Sequence, residues 1–558
     1  MGRIEFKTQL KTTLKESLAE YYSTHKQFPP IELETPAQKI HGDYSCNIAL
    51  RCAKILKKSP LAIAEELGHL FQKNIEASLI HTKIAKIEIK NPGFINFYLT
   101  SDAIFDILYQ IFTQQNQYGT LKFGNNKKIQ IEFVSANPTG PLSVAHARQA
   151  AVGDALVNIL NFIGFEAKKE YYVNDGGNQI RILGLSIQSR ALELLGENIT
   201  LPEDGYQGVY IKDMAKIFLD QNTINTSDEL KKKDLSAFMQ FGKEYLLDVI
   251  RKELDDFGVH FDMWSYESKV ATKEKILEVL KFLAEKSLTY EHEGALWFKS
   301  TDFGDDKDRV LRKSDGSYTY LTPDITYHKN KFERGFDHVF DILGPDHHGY
   351  IARITAAAMA LGRQKEDLKV LIVQLATIYR EGEKVSMSTR GGQYVTLREV
   401  IEEVGVDVAR FFFLMRSMKA HLDFDLDLAK KQSSENPVYY IQYAHARIHS
   451  INKKASEANI VAKTSGISSL TETEELDLIK KLGSFPDVLL TCHDQLDPYP
   501  LVNYLQDVAA IFHKFYDNHR VVLDDQNLSA ERLALINATR IVLANGLNLL
   551  GLSTPEKM

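Results

Sequence analysis

The sequence is poor in cysteine and contains no long apolar run. Its 558 residues include three cysteines, Cys46, Cys52 and Cys492, whose number and spacing fit neither a disulfide framework nor a zinc site. No apolar stretch approaches the roughly 20 residues that span a bilayer, and the first residues lack the apolar segment of a secretory signal. We therefore expect a cytoplasmic protein with no membrane partner and no metal site.

An excess of positive charge is also missing. Lysine and arginine number 67 against 74 aspartates and glutamates, which gives a net charge of -7. A nucleic acid would therefore have to bind a local basic surface. The length is sufficient for about three domains of roughly 150 residues each.

The sequence predicts two strands, at residues 129–134 and 168–173, with a helix between them. Apolar residues recur at helical spacing between Ser143, a candidate N-cap, and Gly164, a candidate C-cap. In such a βαβ unit the strand end and the helix N-terminus face one crevice, where the helix amides favour phosphate. His146, in the first helical turn, is therefore a candidate phosphate ligand.

A second group of polar residues lies where another strand is predicted to meet a helix. Tyr320 is predicted to end the strand, and the helix is predicted to begin with Thr322 as N-cap and Pro323 at its first position. Asp324 follows at once. A carboxylate there suits a cationic ligand, in particular a guanidinium, although a plain first-turn residue that complements the helix dipole is the alternative.

Two further polar features allow more than one interpretation. Glu132 lies inside an apolar strand, where burial requires a cationic partner such as the ammonium or guanidinium group of an amino acid; otherwise it faces outward. His347 and His348 are adjacent, so in an extended chain they point to opposite sides. No other Cys or His spacing completes a metal site around them.

Several motifs resemble those of one enzyme family. PLSVAH at 141–146 looks like the HIGH signature of class I aminoacyl-tRNA synthetases, and KVSMSTR at 384–390 looks like their KMSKS loop. The frame EFVSANPTGPLSVAHAR with GDAL, YVNDGGNQ and GPDHHGY is similar to arginyl-tRNA synthetases in particular. The resemblance covers nearly the whole chain and is weakest between 180 and 300.

The resemblance implies an α/β fold with a Rossmann-type parallel-sheet catalytic domain, an N-terminal α+β domain and a C-terminal all-α helical bundle. We expect a tRNA-contacting domain at 1–115, a catalytic domain at 116–420 with an insertion around 180–300, and an anticodon-binding domain at 421–558.

Other patterns place individual elements. The main sheet is expected to resume at 295–297 and 309–311 and to end with a strand at 371–376. A single helix is expected at 475–490.

The resemblance further implies an arginine–tRNA ligase. Such an enzyme activates L-arginine with ATP and Mg²⁺ to arginyl-adenylate and transfers the arginyl group to the 3′ end of tRNA(Arg), with bound tRNA needed for the first step. We expect a monomer. The implied catalytic residues are His146, Ser143, Lys384, Ser386 and Arg390. The implied arginine-binding residues are Glu132, Asn137, Tyr320, Asp324 and His347. The implied ATP-binding residues are Pro141, Ser143, His146, Gly344, His347, Lys384, Ser386 and Ser388. The implied tRNA-binding residues are Tyr443, Arg447, His513, Tyr516 and Arg520.

Three signature positions depart from the family pattern. Ser143 replaces the first histidine of HIGH, Ala145 replaces its glycine, and Met387 replaces the second lysine of KMSKS. Ser143 can still donate a hydroxyl hydrogen bond, and Lys384 or Arg390 could supply the lost charge. Two alternatives stay open: a class I synthetase for another amino acid, and a tRNA-binding paralogue without ligase activity.

Overall fold

The computed structural model describes residues 3–22, 28–36, 38–385 and 394–558. The strands in this part of the chain are β1 (Leu33–Glu34), β2 (Tyr44–Cys46), β3 (Ile84–Lys90), β4 (Phe94–Leu99), β5 (Lys128–Glu132), β6 (Glu166–Val173), β7 (Met263–Tyr266), β8 (Thr289–His292), β9 (Ala295–Phe298), β10 (Arg309–Arg312), β11 (His338–Leu343), β12 (Leu368–Ile372), β13 (Ala376–Arg380), β14 (Glu383–Lys384) and β15 (Leu422–Asp425). The helices are α1 (Arg3–Tyr21), α2 (Ile48–Leu56), α3 (Pro60–Glu76), α4 (Ser101–Gln114), α5 (Val144–Phe162), α6 (Gly177–Leu194), α7 (Val209–Asn222), α8 (Ser227–Lys231), α9 (Leu235–Asp256), α10 (Glu267–Val270), α11 (Lys273–Glu285), α12 (Leu321–Glu333), α13 (Ile351–Ala360), α14 (Leu397–Val404), α15 (Val406–Leu414), α16 (Leu426–Ala429), α17 (Pro437–Glu457), α18 (Thr473–Gly483), α19 (Phe485–Gln495), α20 (Tyr499–Asn518) and α21 (Gln526–Leu549).

The centre of the molecule is a five-stranded parallel sheet in the order β12-β11-β5-β6-β7. The predicted unit of β5, α5 and β6 is confirmed, with Ser143 at the helix start and Gly164 at φ 95° just beyond its end. A Cβ atom at Gly153 would lie 2.4 Å from the ring of Phe133. Glycine at this position therefore lets α5 pack closely on the chain that leaves β5.

The predictions for the later strands are partly wrong. Residues 295–297 and 309–311 do form strands, but they belong to β9 and β10 of a separate antiparallel sheet with β8. Glu293 and Gly294 connect β8 to β9 with φ of 51° and 73°, the positive values of a tight hairpin turn. Residues 371–376 span the end of β12 and the start of β13, which pairs with β14 and β15 instead.

The insertion consists mainly of helices. The helices α6, α7, α8 and α9 pack around one apolar core, which includes Leu183, Phe218 and Phe238. After them, β7 returns the chain to the edge of the parallel sheet.

The two ends of the chain form an α+β unit and a set of long helices. The antiparallel sheet β1-β2-β4-β3 packs with α1–α3 around its own apolar core. The expected helix at 475–490 is instead two helices, α18 and α19, because Ser484 lies between them and Pro486 in the first turn of α19 lacks a backbone N–H. No helix in the described ranges has the length and apolarity needed to cross a membrane.

Candidate active site

A cleft of about 570 Å³ opens at the carboxyl ends of the parallel strands, between the N-termini of α5 and α12. This is the edge at which open α/β sheets bind ligands. The cleft is lined by Glu132, Val134, Ser135, Ala136, Asn137, Ala145, His146, Gln149, Tyr172, Asn174, Glu267, Tyr320, Pro323, Asp324, Tyr327, His328, Asp341, Leu343, Gly344, Pro345, Asp346, His347, Tyr350, Val373, Gln374 and Leu375.

The α5 wall of the cleft presents a neutral imidazole. The backbone N–H of Ser143 donates to Nδ1 of His146 at 3.2 Å, so this nitrogen carries a lone pair. Burial lowers the pKa of His146 to about 4. At neutral pH the ring is therefore uncharged and its proton is on Nε2, which can donate to a ligand.

Ser143 lies at the N-cap of α5, as predicted. It is not among the residues that line the cleft. Its Oγ lies 3.2 Å from Nδ1 of His146, so the side chain contacts the imidazole.

Strained backbone marks the cleft floor just after β5. Val134 and Ser135 have φ of 66° and 40°, values that are unusual for any side chain and costly for a β-branched one. Ser135 Oγ donates to Glu132 at 2.9 Å and accepts the backbone N–H of Tyr172 at 3.0 Å. These two bonds help to hold the strained turn against β6.

The α12 wall presents a buried carboxyl group. Asp324 lies in the first turn of α12, and the hydroxyl of Tyr350 hydrogen-bonds to it. Burial raises the pKa of Asp324 to about 7. His328 and the Tyr350 hydrogen bond oppose this rise, and the nearby carboxylates of Glu132 and Glu267 add to it. Within the described ranges, no lysine or arginine lies within ion-pair distance of its carboxylate. A cationic ligand would therefore offset the free-energy cost of burying the charged form.

The predicted start of α12 is wrong. The helix begins at Leu321, and Tyr320 precedes it in helical conformation rather than ending a strand. Thr322 is not the N-cap, because its hydroxyl donates to the carbonyl of Leu311 at 2.7 Å. Tyr320 still lines the cleft, with 87% of its surface exposed.

Further along α12, a buried lysine joins two strands. Glu132 and Asp341 are register partners on β5 and β11, and Nζ of Lys331 contacts them at 2.6 and 2.7 Å. Lys331 is fully buried. The cation that Glu132 requires is therefore supplied within the chain, so the burial of Glu132 does not by itself indicate a ligand.

His328 connects this buried pair to the cleft. Its Nε2 lies 2.8 Å from Asp341, and its Nδ1 lies 2.8 Å from the carbonyl of Asp324. Sequence reasoning missed both His328 and Lys331. Their spacing of four and seven residues after Asp324, which places all three on one face of a helix, is the signal that could have identified them.

Tyr172 and Glu267 were also missed. The hydroxyl of Tyr172 donates to Glu267 at 2.8 Å on the cleft wall. Alternation along β6 places Tyr172 on the same side as Asn174, one of the polar residues at the strand end, and could have identified it.

Comparisons with known proteins agree with this geometry. Residues 8–99 match the family model "Arginyl tRNA synthetase N terminal domain", residues 107–420 match "tRNA synthetases class I (R), catalytic domain", and residues 441–558 match "DALR anticodon binding domain". The arginine–tRNA ligase 1 of Halalkalibacterium halodurans is 45% identical over 99% of both chains. This chain belongs to the arginyl-tRNA synthetase family.

Two further relatives extend the comparison. The arginine–tRNA ligase of Bacillus subtilis is 45% identical over 99% of both chains. The solved arginyl-tRNA synthetase of Thermus thermophilus has a TM-score of 0.77, covers 98% of this chain and 100% of its own, and is 21% identical. The second likeness shows the shared fold. The predicted class I α/β fold, with its N-terminal and helical C-terminal domains, is confirmed.

The remaining family-implied cleft residues divide into three groups. Asn137, Gly344 and His347 line the cleft, whereas His348 is not among the lining residues. Pro141 and Lys384 are not among them either; Lys384 is exposed on β14. Ser386, Ser388 and Arg390 lie outside the described residues, as does Met387.

Four of the five tRNA candidates form a cluster between α17 and α20. The ring of Tyr443 stacks on His513 with centroids 5.8 Å apart. The guanidinium of Arg447 lies 4.6 Å from the ring centroid of Tyr516 and donates to the Tyr443 hydroxyl at 2.8 Å. Arg520 is exposed beyond the end of α20, apart from this cluster.

Proposed function

We propose that this chain is an arginine–tRNA ligase that forms arginyl-adenylate from L-arginine and ATP and transfers the arginyl group to tRNA(Arg). The observation that carries the proposal is the pair of functional groups in one cleft. Asp324, a buried carboxyl group, faces the same space as His146, a neutral donor at a helix N-terminus. Membership of the family supports the same activity.

The guanidinium of arginine would bind at the α12 wall. Asp324 supplies the carboxylate, and a planar guanidinium can donate to both of its oxygens. Tyr320 would cover the guanidinium from the cleft mouth. Glu132, Asn137 and His347 would contact the rest of the amino acid.

ATP would bind at the α5 wall and along the ends of β11 and β12. His146 Nε2, at the N-terminus of α5, would donate to phosphate oxygens, a preorganised arrangement that stabilises developing negative charge. Gly344 and His347 would lie against the nucleoside. The family resemblance supports further roles for Pro141, Ser143, Lys384, Ser386, Ser388 and Arg390.

The chemistry needs no covalent enzyme intermediate. A carboxylate oxygen of arginine attacks the α-phosphorus of ATP, and the bond to pyrophosphate breaks as the mixed anhydride forms. A terminal ribose hydroxyl of tRNA then attacks the carbonyl carbon, and AMP leaves. The cleft contributes by positioning the reactants and by stabilising charge.

Magnesium would enter with the phosphates of ATP, whose charge it neutralises. The described residues contain no group of three His, Cys, Asp or Glu side chains that could hold a metal ion. We therefore assign no ligand residues of the chain to Mg²⁺.

The outer domains would bind tRNA. We propose domain limits of 1–115, 116–420 and 421–558, with the first and last of these contacting the tRNA. Tyr443, Arg447, His513 and Tyr516 offer aromatic faces and a guanidinium on which unpaired bases can stack. Arg520 would meet a phosphate. The enzyme would act as a monomer in the cytoplasm.

Arginine-dependent ATP–pyrophosphate exchange, measured with and without tRNA(Arg), tests the function. We expect exchange with arginine when tRNA is present, and little or none without it. Exchange with a different amino acid would reassign the substrate. No exchange under any condition, with tight tRNA binding retained, would identify a paralogue without ligase activity.

A further inference from the structure

The loop between β5 and α5 is held in place by parts of the chain that lie far away in sequence. The hydroxyl of Tyr210 donates to the carbonyl of Thr139 at 2.7 Å, and that of Tyr394 donates to the carbonyl of Pro141 at 2.9 Å. The backbone N–H of Leu142 donates to Oε2 of Glu253 at 3.0 Å. Three of the four residues at 139–142 are therefore hydrogen-bonded to side chains outside the loop.

Two of these side chains belong to the helical insertion. Tyr210 lies in the first turn of α7, 71 residues after its partner. Glu253 lies near the end of α9, 111 residues after its partner. The insertion, defined here as residues 177–256, thus contacts the loop with two separate helices.

The two tyrosines close on the loop around Gly140. A Cβ atom at Gly140 would lie 3.1 Å from the hydroxyl oxygen of Tyr394 and 3.2 Å from that of Tyr210. A side chain at this position would crowd both hydroxyls, each of which would have to shift by a few tenths of an ångström. Glycine at this position therefore permits both tyrosines to bond to the loop at once.

The burial of Glu253 costs free energy, and its hydrogen bond to the loop offsets part of that cost. It is 4% exposed, and burial raises the pKa of its carboxyl. The Leu142 N–H is the hydrogen bond that favours its ionised form most strongly. A buried carboxylate that accepts one amide from a loop fixes that loop more firmly than apolar packing does, because packing has no direction.

The loop leads directly into the part of α5 that we assign to ATP. Leu142 is fully buried, Ser143 follows it, and the Ser143 N–H orients the imidazole of His146. A displacement of the loop would therefore move Nε2 of His146, and errors of about 1 Å in such positions reduce rates by about 100-fold.

We propose that the helical insertion is a positioning element for adenylate formation, in which Tyr210 and Glu253 are positioning residues that hold the 139–142 loop and through it the start of α5. This inference rests on the proposed function, since it concerns the rate of the same reaction. Neither residue lines the cleft, so each acts through the loop rather than on the substrates.

Substitutions at Glu253 test the proposal, with arginine-dependent ATP–pyrophosphate exchange as the assay. For Glu253→Ala we expect kcat to fall about 30-fold while the KM for arginine stays within about twofold, because Asp324 is on the opposite wall. Glu253→Gln keeps an oxygen that can accept the Leu142 N–H, and we expect it to remain within about threefold of the unmodified enzyme. Equal loss in both variants, or a parallel loss of arginine affinity, would overturn the proposal.

Substitutions at the tyrosines provide a second test. Each Tyr→Phe change removes a single oxygen atom. Tyr210→Phe should lower kcat about fivefold. Tyr245→Phe, in α9 of the same insertion with its ring on Phe241, is the matched control and should leave kcat unchanged. We expect Tyr210→Phe and Tyr394→Phe to be non-additive when combined, since both hydroxyls hold one loop.

The outcomes separate this proposal from the function itself. An unmodified enzyme without exchange activity would contradict the proposed function. An active enzyme in which Tyr210→Phe and Glu253→Ala are as active as Tyr245→Phe would leave the function intact and overturn the role of the insertion.

Discussion

The two walls of the cleft differ in the charge of the side chains that they present. The α12 wall is built on ionisable groups, with Lys331 buried between Glu132 and Asp341 and with Asp324 buried near them. The α5 wall presents no ionised side chain of its own, because His146 is neutral at pH 7. One wall is suited to a cation and the other to an anion.

The difference suits each wall to one kind of ligand. A guanidinium is best bound by a formal negative charge, which Asp324 can supply, whereas Glu132 and Asp341 are already paired with Lys331. Phosphate oxygens can be bound by N–H donors alone. A neutral donor also avoids the cost of desolvating a second charge.

The largest expected effect is on stability, and it tests whether the α12 wall depends on its buried cation. Lys331→Met should lower the free energy of unfolding by about 4 kcal/mol, because it leaves the carboxylates of Glu132 and Asp341 buried without a cation. Urea denaturation measures this. Lys329→Met, which removes the pair with Glu333 on the same helix, is the control and should cost under about 1 kcal/mol. Equal effects would show that burial of Lys331 has no special role.

The next effect concerns the α5 wall. His146→Ala should reduce kcat for adenylate formation about 100-fold, because it removes a preorganised donor to the phosphates. The KM for arginine should change by less than about twofold. His348→Ala, an exposed histidine that does not line the cleft, is the matched control. A rise in arginine KM without loss of kcat would indicate that His146 contacts arginine rather than the phosphates of ATP.

Asp324→Asn provides the converse test. We expect the KM for arginine to rise about 50-fold, since the amide cannot offer a charge to the guanidinium. The KM for ATP should stay near its original value. Glu333→Gln, at the other end of α12, should change neither. An arginine KM that Asp324→Asn leaves unchanged would remove this residue from recognition.

The pH dependence of the two walls should differ. Binding of a guanidinium favours the carboxylate form of Asp324, whose pKa is about 7, so arginine KM should rise as pH falls, by about tenfold from pH 8 to pH 6. His146, with a pKa of about 4, stays neutral across this range. The trend should vanish in Asp324→Asn; persistence there would assign it to another group.

The smallest effect lies outside the cleft. Arg447→Gln should weaken tRNA(Arg) binding about fivefold, because it removes a guanidinium from the aromatic cluster, and should leave both cleft walls unaffected. A nitrocellulose filter assay at fixed salt measures this binding. Lys453→Gln, an exposed charge on the same helix, corrects for the loss of charge alone. Equal losses would argue against a specific role for the cluster.

Local patterns predicted the parts of the fold that local interactions decide. The β5–α5–β6 unit follows from apolar spacing, a cap residue and a terminal glycine, all within about 45 residues of chain. The same patterns could not assign β9 and β10 to their sheet, because strand partners depend on contacts distant in sequence. The start of α12 was misplaced for a similar reason, since the Thr322 hydroxyl donates a hydrogen bond to the carbonyl of Leu311 instead of capping the helix.

The candidate site was predictable where polar residues follow strand ends, and less so where a charge is buried. Lys331 lies in the sequence HKNKFER, which resembles a solvated helix surface, yet it pairs with Glu132 across 199 residues. The hydrogen bonds of Tyr210 and Glu253 to the 139–142 loop also join residues far apart in the sequence. Local spacing can indicate that such residues share a helix face, but their distant partners are revealed only by the folded structure.

The central claim is that Asp324 selects a cation, and the rate of tRNA charging with arginine and with citrulline tests it most directly. Citrulline has nearly the shape of arginine but carries a neutral ureido group in place of the guanidinium. We predict that kcat/KM for arginine exceeds that for citrulline by at least about 1,000-fold, because the buried carboxylate would be left without a cation. Comparable values for the two amino acids would contradict the account.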